Sequence, residues 1–231
     1  MTKIVLFDID GTLVLTGGAG LRAMNRVCRD VLGIDNALDG VSVAGRTDWI
    51  ILSDALSKAG RTLDAAALDA LRTPYVRLLA EEIQAAGQGP KAVMPGIGAL
   101  LDHLDARDDV FLGLVTGNFR EAARIKLEYF DLWGYFTCGA FGDDAADRNA
   151  LVPMALARAQ EHGLPGGANH DVIVVGDTPH DIACARAAGA RAIAVATGTF
   201  SADALRACGA DAVFDDLSDT GRVLQIFHDG R

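Results

Sequence analysis

The chain has 231 residues, 50% of them hydrophobic and 23% charged, which suits one large folded domain or one domain carrying a smaller insert. Its formal net charge of −10 argues against nucleic acid or an anionic membrane as the main partner, since both demand a basic surface. An anionic small molecule stays open as a substrate, because a metal ion and one or two buried basic side chains can reverse the potential locally.

The first element is Ile4-Val5-Leu6-Phe7, a β-branched and aromatic run that reads as a buried strand. The few residues before Asp8 are too short for a signal peptide, and no run approaches the length of a membrane-spanning helix. Cys28, Cys138, Cys184 and Cys208 lack CxxC or zinc-like spacing and read as free thiols, so a cytoplasmic protein is expected. From about Gly17 to Ala86 there is no convincing strand. Helical spacing recurs near Leu21–Leu32, Trp49–Lys58 and Ala65–Ala86, between the glycine-rich stretches Gly17-Gly18-Ala19-Gly20 and Gly87-Gln88-Gly89-Pro90.

Beyond that block, strands and helices alternate. Strands are predicted at Val110–Val115, Val172–Val175, Ala192–Ala196 and Ala212–Phe214, with a weaker one at Tyr135–Ala140. Helices are predicted at Pro95–Leu104, Arg120–Phe130, Leu151–Glu161, Asp181–Ala188, Ala202–Cys208 and Leu217–Phe227. This pattern gives an α/β fold: a Rossmann-like parallel sheet core covered on both faces. Residues 1–15 and 88–231 form the core, and residues 16–87 form an inserted helical cap.

Three of these strands end in polar residues. The first runs into Asp8-Ile9-Asp10-Gly11-Thr12, and two carboxylates this close to a buried strand are costly unless a cation compensates them. The second ends in Thr116-Gly117-Asn118, which can bind phosphate through the hydroxyl and backbone N–H groups, or serve as a turn and helix cap. A later strand ends in Gly176-Asp177-Thr178-Pro179-His180-Asp181. Asp177 there is either a second ligand like Asp8 or the N-cap of the next helix. Parallel strands bring their C-terminal ends to one edge, so Asp8, Asp10, Thr116 and Asp177 can converge.

With DIDGT at 8–12, TGN at 116–118, GDTPHD at 176–181 and a helical insert between the first two, the chain resembles the haloacid-dehalogenase-like hydrolases. It is most similar to their phosphoglycolate-phosphatase and phosphomutase branches with a helical cap. That resemblance implies a Mg²⁺-dependent phosphatase hydrolysing a small phosphorylated metabolite, phosphoglycolate-like or a sugar phosphate, through an aspartyl-phosphate. Asp8 would be the nucleophile and Asp10 the general acid and base. Mg²⁺ would be held by Asp8, the Asp10 carbonyl and Asp177, with Asp181 on a bound water or orienting its neighbours. Thr116 and Gly117 would hold the phosphoryl oxygens, supported by Asn118.

One departure from the family pattern stands out. The expected lysine before the GDxxxD strand is missing, and Arg148 in Asp147-Arg148-Asn149 is the best substitute for its charge. Within the cap, Arg46 of Gly45-Arg46-Thr47-Asp48 resembles a specificity-loop residue facing the substrate, and also reads as a solvated surface arginine. A phosphomutase of the same fold and a non-catalytic phosphate-binding regulatory protein are the alternatives. A monomer or homodimer is expected.

Overall fold

The computed structural model describes residues 2–164 and 170–228. Its centre is a parallel six-stranded sheet in the order β5-β4-β1-β6-β7-β8. The strands are β1 (Lys3–Phe7), β4 (Val110–Val115), β5 (Cys138–Ala140), β6 (Asp171–Gly176), β7 (Arg191–Val195) and β8 (Ala212–Phe214). β1 lies in the middle, with Phe7 aligned with Leu114 of β4 and Val175 of β6. All five of its residues are buried, as expected of a strand covered on both faces.

Alternation along β1 builds two cores. Val5 and Phe7 point into one, with Leu100 and Leu104 of α4 (Ile97–Asp105), Ala123 and Leu127 of α5 (Arg120–Glu128), and Val223 and Phe227 of α9 (Thr220–His228). Ile4 and Leu6 point into the other, with Val152 and Ala155 of α6 (Leu151–Glu161), Ile182 and Ala185 of α7 (Pro179–Ala187), and Leu205 of α8 (Ala202–Ala207). The weaker strand expected at Tyr135–Ala140 is shortened to Cys138–Ala140, because Trp133–Tyr135 makes a 3₁₀ turn.

The insert holds three helices, α1 (Ala19–Leu32), α2 (Asp48–Lys58) and α3 (Ala65–Glu82), packed around a core of their own. The sequence predicts glycine linkers on both sides of it. The structure ties those linkers together: β2 (Val14–Thr16) and β3 (Lys91–Val93) pair antiparallel as a two-stranded ribbon. Gly17 and Gly87 extend this contact, since a Cβ on Gly87 would meet the Gly17 carbonyl at 2.8 Å. We propose that core and insert divide at 15/16 and 87/88, in and beside this ribbon.

The insert is also bonded to the edge of the sheet. Asp48 N donates to the Gly117 carbonyl at 2.8 Å, and the Asp48 carboxylate accepts from Phe119 N at 2.8 Å. Thr47 Oγ1 donates to the Ala146 carbonyl at 3.1 Å. Phe119 and Ala122 belong to the core of the insert, and the Phe119 and Tyr75 rings meet edge-on with centroids 6.0 Å apart. Gly117 makes the approach possible, because a Cβ there would lie 2.3 Å from the Arg46 carbonyl oxygen. Gly117→Ala should therefore lift segment 46–48 off the sheet edge. Hydrogen exchange at the Asp48 amide should accelerate by about tenfold or more, and unchanged protection would contradict this docking.

Candidate active site

The ends of β1, β4 and β6 meet where the chain order of the sheet reverses, the place at which open α/β sheets bind ligands. Asp8 leaves β1 with its backbone N–H bonded to the Val175 carbonyl at 2.9 Å. Asp177 and Asp181 follow β6, and ligand atoms of Asp8, Asp177 and Asp181 all lie within 4.8 Å of one another. All three carboxyl groups are buried.

One cation sits among them. Arg148 Nη2 is 3.1 Å from Asp8 Oδ1 and also pairs with Asp181, while Nη1 donates to the Gly45 carbonyl of the insert at 2.9 Å. The planar fork lets one side chain meet the carboxylates with one nitrogen and the insert with the other. Burial opposes the charge on Arg148, but Asp181 and Asp8 outweigh it and hold the guanidinium firmly protonated.

Three carboxylates against one guanidinium leave a buried negative surplus. Burial, opposed by Arg148, pushes the Asp8 carboxyl up to about 6. Burial, with Asp8 and Asp181 adding to it, pushes Asp177 up to about 8. Such groups either take protons or take a metal. The donor set is all hard oxygen and fits a divalent cation of the Mg²⁺ kind.

The remaining sequence-selected residues fall around this cluster. Thr178, rather than Asp177, is the N-cap of α7, and its N–H and hydroxyl bond to Asp181 at 3.0 and 2.7 Å. That leaves the Asp177 carboxyl turned inward, with Thr12 Oγ1 donating to it at 3.1 Å. Thr116 is buried and accepts from the Asn118 side-chain amide at 2.8 Å; the same amide donates to Asp10 at 2.8 Å. Arg46 does not reach the carboxylate cluster: its guanidinium pairs with Asp54 at 2.7 Å and donates to the Ser42 carbonyl at 3.1 Å.

Sequence reading passes over Lys126. Its Nζ lies 2.6 Å from Asp10 Oδ2 and 2.6 Å from Asn118 Oδ1, and the residue is almost wholly buried. A signal exists, since Lys126 continues the buried stripe of Ala122 and Ala123 on α5, where a lysine is out of place without a partner. Asp48 offered no comparable signal. Its carboxyl is raised to about 7 by burial, against the opposing pull of Lys126 and the Phe119 N–H bond.

Sheet edge and insert enclose a cavity of about 470 Å³, lined by Asp8, Asp10, Thr116, Arg148 and Asp177 from below and by Met24, Ile51 and Tyr75 from the insert. The family model for haloacid dehalogenase-like hydrolases matches residues 5–186. The chain belongs to that family. It is a hydrolase of phosphoric monoesters, with Asp8 and Asp177 both inside the matched span.

This phosphatase is 32% identical over 224 residues to a phosphoglycolate phosphatase of Rhodospirillum rubrum, covering 96% of this chain and 90% of the relative. It is 25% identical to one of Mesorhizobium japonicum, covering 84% and 83%. Among solved structures, CbbY of Rhodobacter sphaeroides in complex with phosphate aligns with a TM-score of 0.69 at 20% identity, covering 96% of this chain and 97% of that one. A hydrolase from Pseudomonas syringae aligns with 0.68 at 21%, covering 98% and 99%, and both likenesses concern the fold. Among the described residues no helix is long and apolar enough to cross a membrane.

The raised carboxyls set a pH dependence for the metal-free phosphatase. A carboxyl whose folded pKa lies above its unfolded value binds its proton more tightly when folded, so stability falls as pH rises through that interval. For Asp8 and Asp177 the interval runs from about 4 to about 6 and about 8. Asp144 and Asp171 are held below the usual range and change only at lower pH. In EDTA, Tm should therefore be higher at pH 5 than at pH 8, by roughly 5 °C, and Mg²⁺ should recover the loss at pH 8. Equal Tm values, or no effect of Mg²⁺ at pH 8, would contradict the buried surplus.

Proposed function

We propose that this chain is a Mg²⁺-dependent phosphatase acting on a small phosphorylated metabolite of the phosphoglycolate class, through an aspartyl-phosphate on Asp8. The observation that carries this reading is the position of Asp8. It lies within reach of Asp177 and Asp181, is held by Arg148 at 3.1 Å, and faces an open cavity. The substrate class is supported by the name of the relative that is 32% identical.

Asp8, the Asp10 carbonyl and Asp177 would hold the ion, with Asp181 beside them; when bound it offsets the crowded negative charge of carboxylates and phosphate. The chain's own residues do the rest. An Asp8 carboxylate oxygen attacks phosphorus while the ester P–O bond breaks, and Asp10 gives its proton to the leaving oxygen. Water then attacks the phosphoryl group, Asp10 takes a proton from it, and the bond to Asp8 breaks, restoring both carboxyls. Arg148 fixes the attacking side chain and opposes the charge that builds on the phosphoryl oxygens. Thr116 and the Gly117 backbone hold those oxygens, and Asn118 with Lys126 keeps Asp10 in place.

Phosphate release from 2-phosphoglycolate should require Mg²⁺ and vanish in EDTA. Asp8→Asn should lower kcat by about 10³-fold or more, and Arg148→Ala by about 10²-fold. Wild-type turnover by Asp8→Asn would exclude the nucleophile.

A further inference from the structure

The N-terminus of α1 opens onto the same cavity and has no side-chain cap. Its N-cap is Gly18, left-handed at φ 76°, and no acid stands in the first turn. The first N–H groups of a helix lack intrahelical partners and favour an anion. Gly17, Gly18, Gly20 and Leu21 all line the cavity.

Two side chains from other elements converge on this helix start. A Cβ placed on Gly20 would lie 3.4 Å from Lys126 Nζ and 3.7 Å from the Tyr75 hydroxyl. Tyr75 is 0% exposed, and its hydroxyl has no hydrogen-bond partner among the described residues, although the residue lines the cavity. A buried hydroxyl in that state is costly unless something completes it. Lys126 has three protons and directs two of them to Asp10 and Asn118. The third is available to a ligand.

We propose that the α1 N-terminus, Lys126 and Tyr75 form a carboxylate subsite that receives the non-phosphate end of the substrate and selects phosphomonoesters of short hydroxy acids. This rests on the phosphatase reading above and names what that site prefers. Lys126 touches Asp10, so the subsite lies a short spacer from the leaving oxygen. Its donors suit a compact acceptor, and its apolar neighbours Leu21, Met24 and Ile51 offer nothing to sugar hydroxyls. A second phosphate dianion would face Asp10 and Asp48, whereas a carboxylate brings one charge to one ammonium and a helix start. Arg46 also lines the cavity and is paired with Asp54, whereas Lys126 and Tyr75 stand at the start of α1.

The test compares 2-phosphoglycolate with ethyl phosphate, which is of similar size and lacks the carboxylate, in the full chain with Mg²⁺. Tyr75→Phe should lower kcat/KM for phosphoglycolate about tenfold more than for ethyl phosphate, chiefly through KM. Gly20→Asp, which tethers a carboxylate in the subsite, should reduce the same ratio further. Equal losses for both esters, or no loss for either, would overturn the subsite while leaving the phosphatase standing. Failure of the wild type to hydrolyse any ester would instead sink the phosphatase reading. Calorimetry on the Asp8→Asn protein then decides the subsite without turnover. A tenfold weaker affinity for phosphoglycolate on adding Tyr75→Phe supports it, and equal affinity overturns it.

Discussion

Mutual repulsion among Asp8, Asp177 and Asp181 is the constraint around which this molecule is organised. Each carboxyl is buried, which weakens the screening between them. Arg148 answers part of the charge, and Thr12 and Thr178 donate to Asp177 and Asp181. What remains unanswered is a demand for positive charge at the one place where the strand ends meet. A site that holds an unmet electrostatic demand is poised to bind a cation and a phosphate together, and would resist doing so with the phosphate alone.

Arg148 also connects this demand to the insert. Its two terminal nitrogens bond different partners, one Asp8 and Asp181, the other the Gly45 carbonyl. The insert is therefore bonded to the same guanidinium that holds the carboxylates. Asp48 and Thr47 add bonds to Gly117, Phe119 and Ala146, so the whole 45–48 segment is seated on the sheet edge. The arginine that stands in place of the expected lysine is thus more than a charge, because its fork bonds the carboxylates and the insert at once.

Much of this was legible in the sequence, for physical reasons that can be named. β1, β4 and β6 are buried on both faces, and their apolar runs announce strands that end in polar residues. Short strands were less readable. β2 and β3 have three residues each, too few for a periodic signal, and their pairing depends on the chain returning 75 residues later. At Asp177 the sequence could not choose between cap and ligand; the structure gives the cap to Thr178. Arg46 looked equally free to meet a substrate or solvent, and its pairing with Asp54, two turns along the chain, was invisible without coordinates. Lys126 was readable in principle, as a charge on an apolar helix stripe, but its partner Asp10 is 116 residues away.

A crystal grown with Mn²⁺ in place of Mg²⁺ would examine the organising constraint directly, through the anomalous signal of the metal. The account predicts one strong peak coordinated by the carboxylates of Asp8 and Asp177, with Arg148 still paired with Asp8 and Asp181. A fully active protein whose only metal peak lay elsewhere, or whose carboxylates had turned apart with none between them, would contradict it.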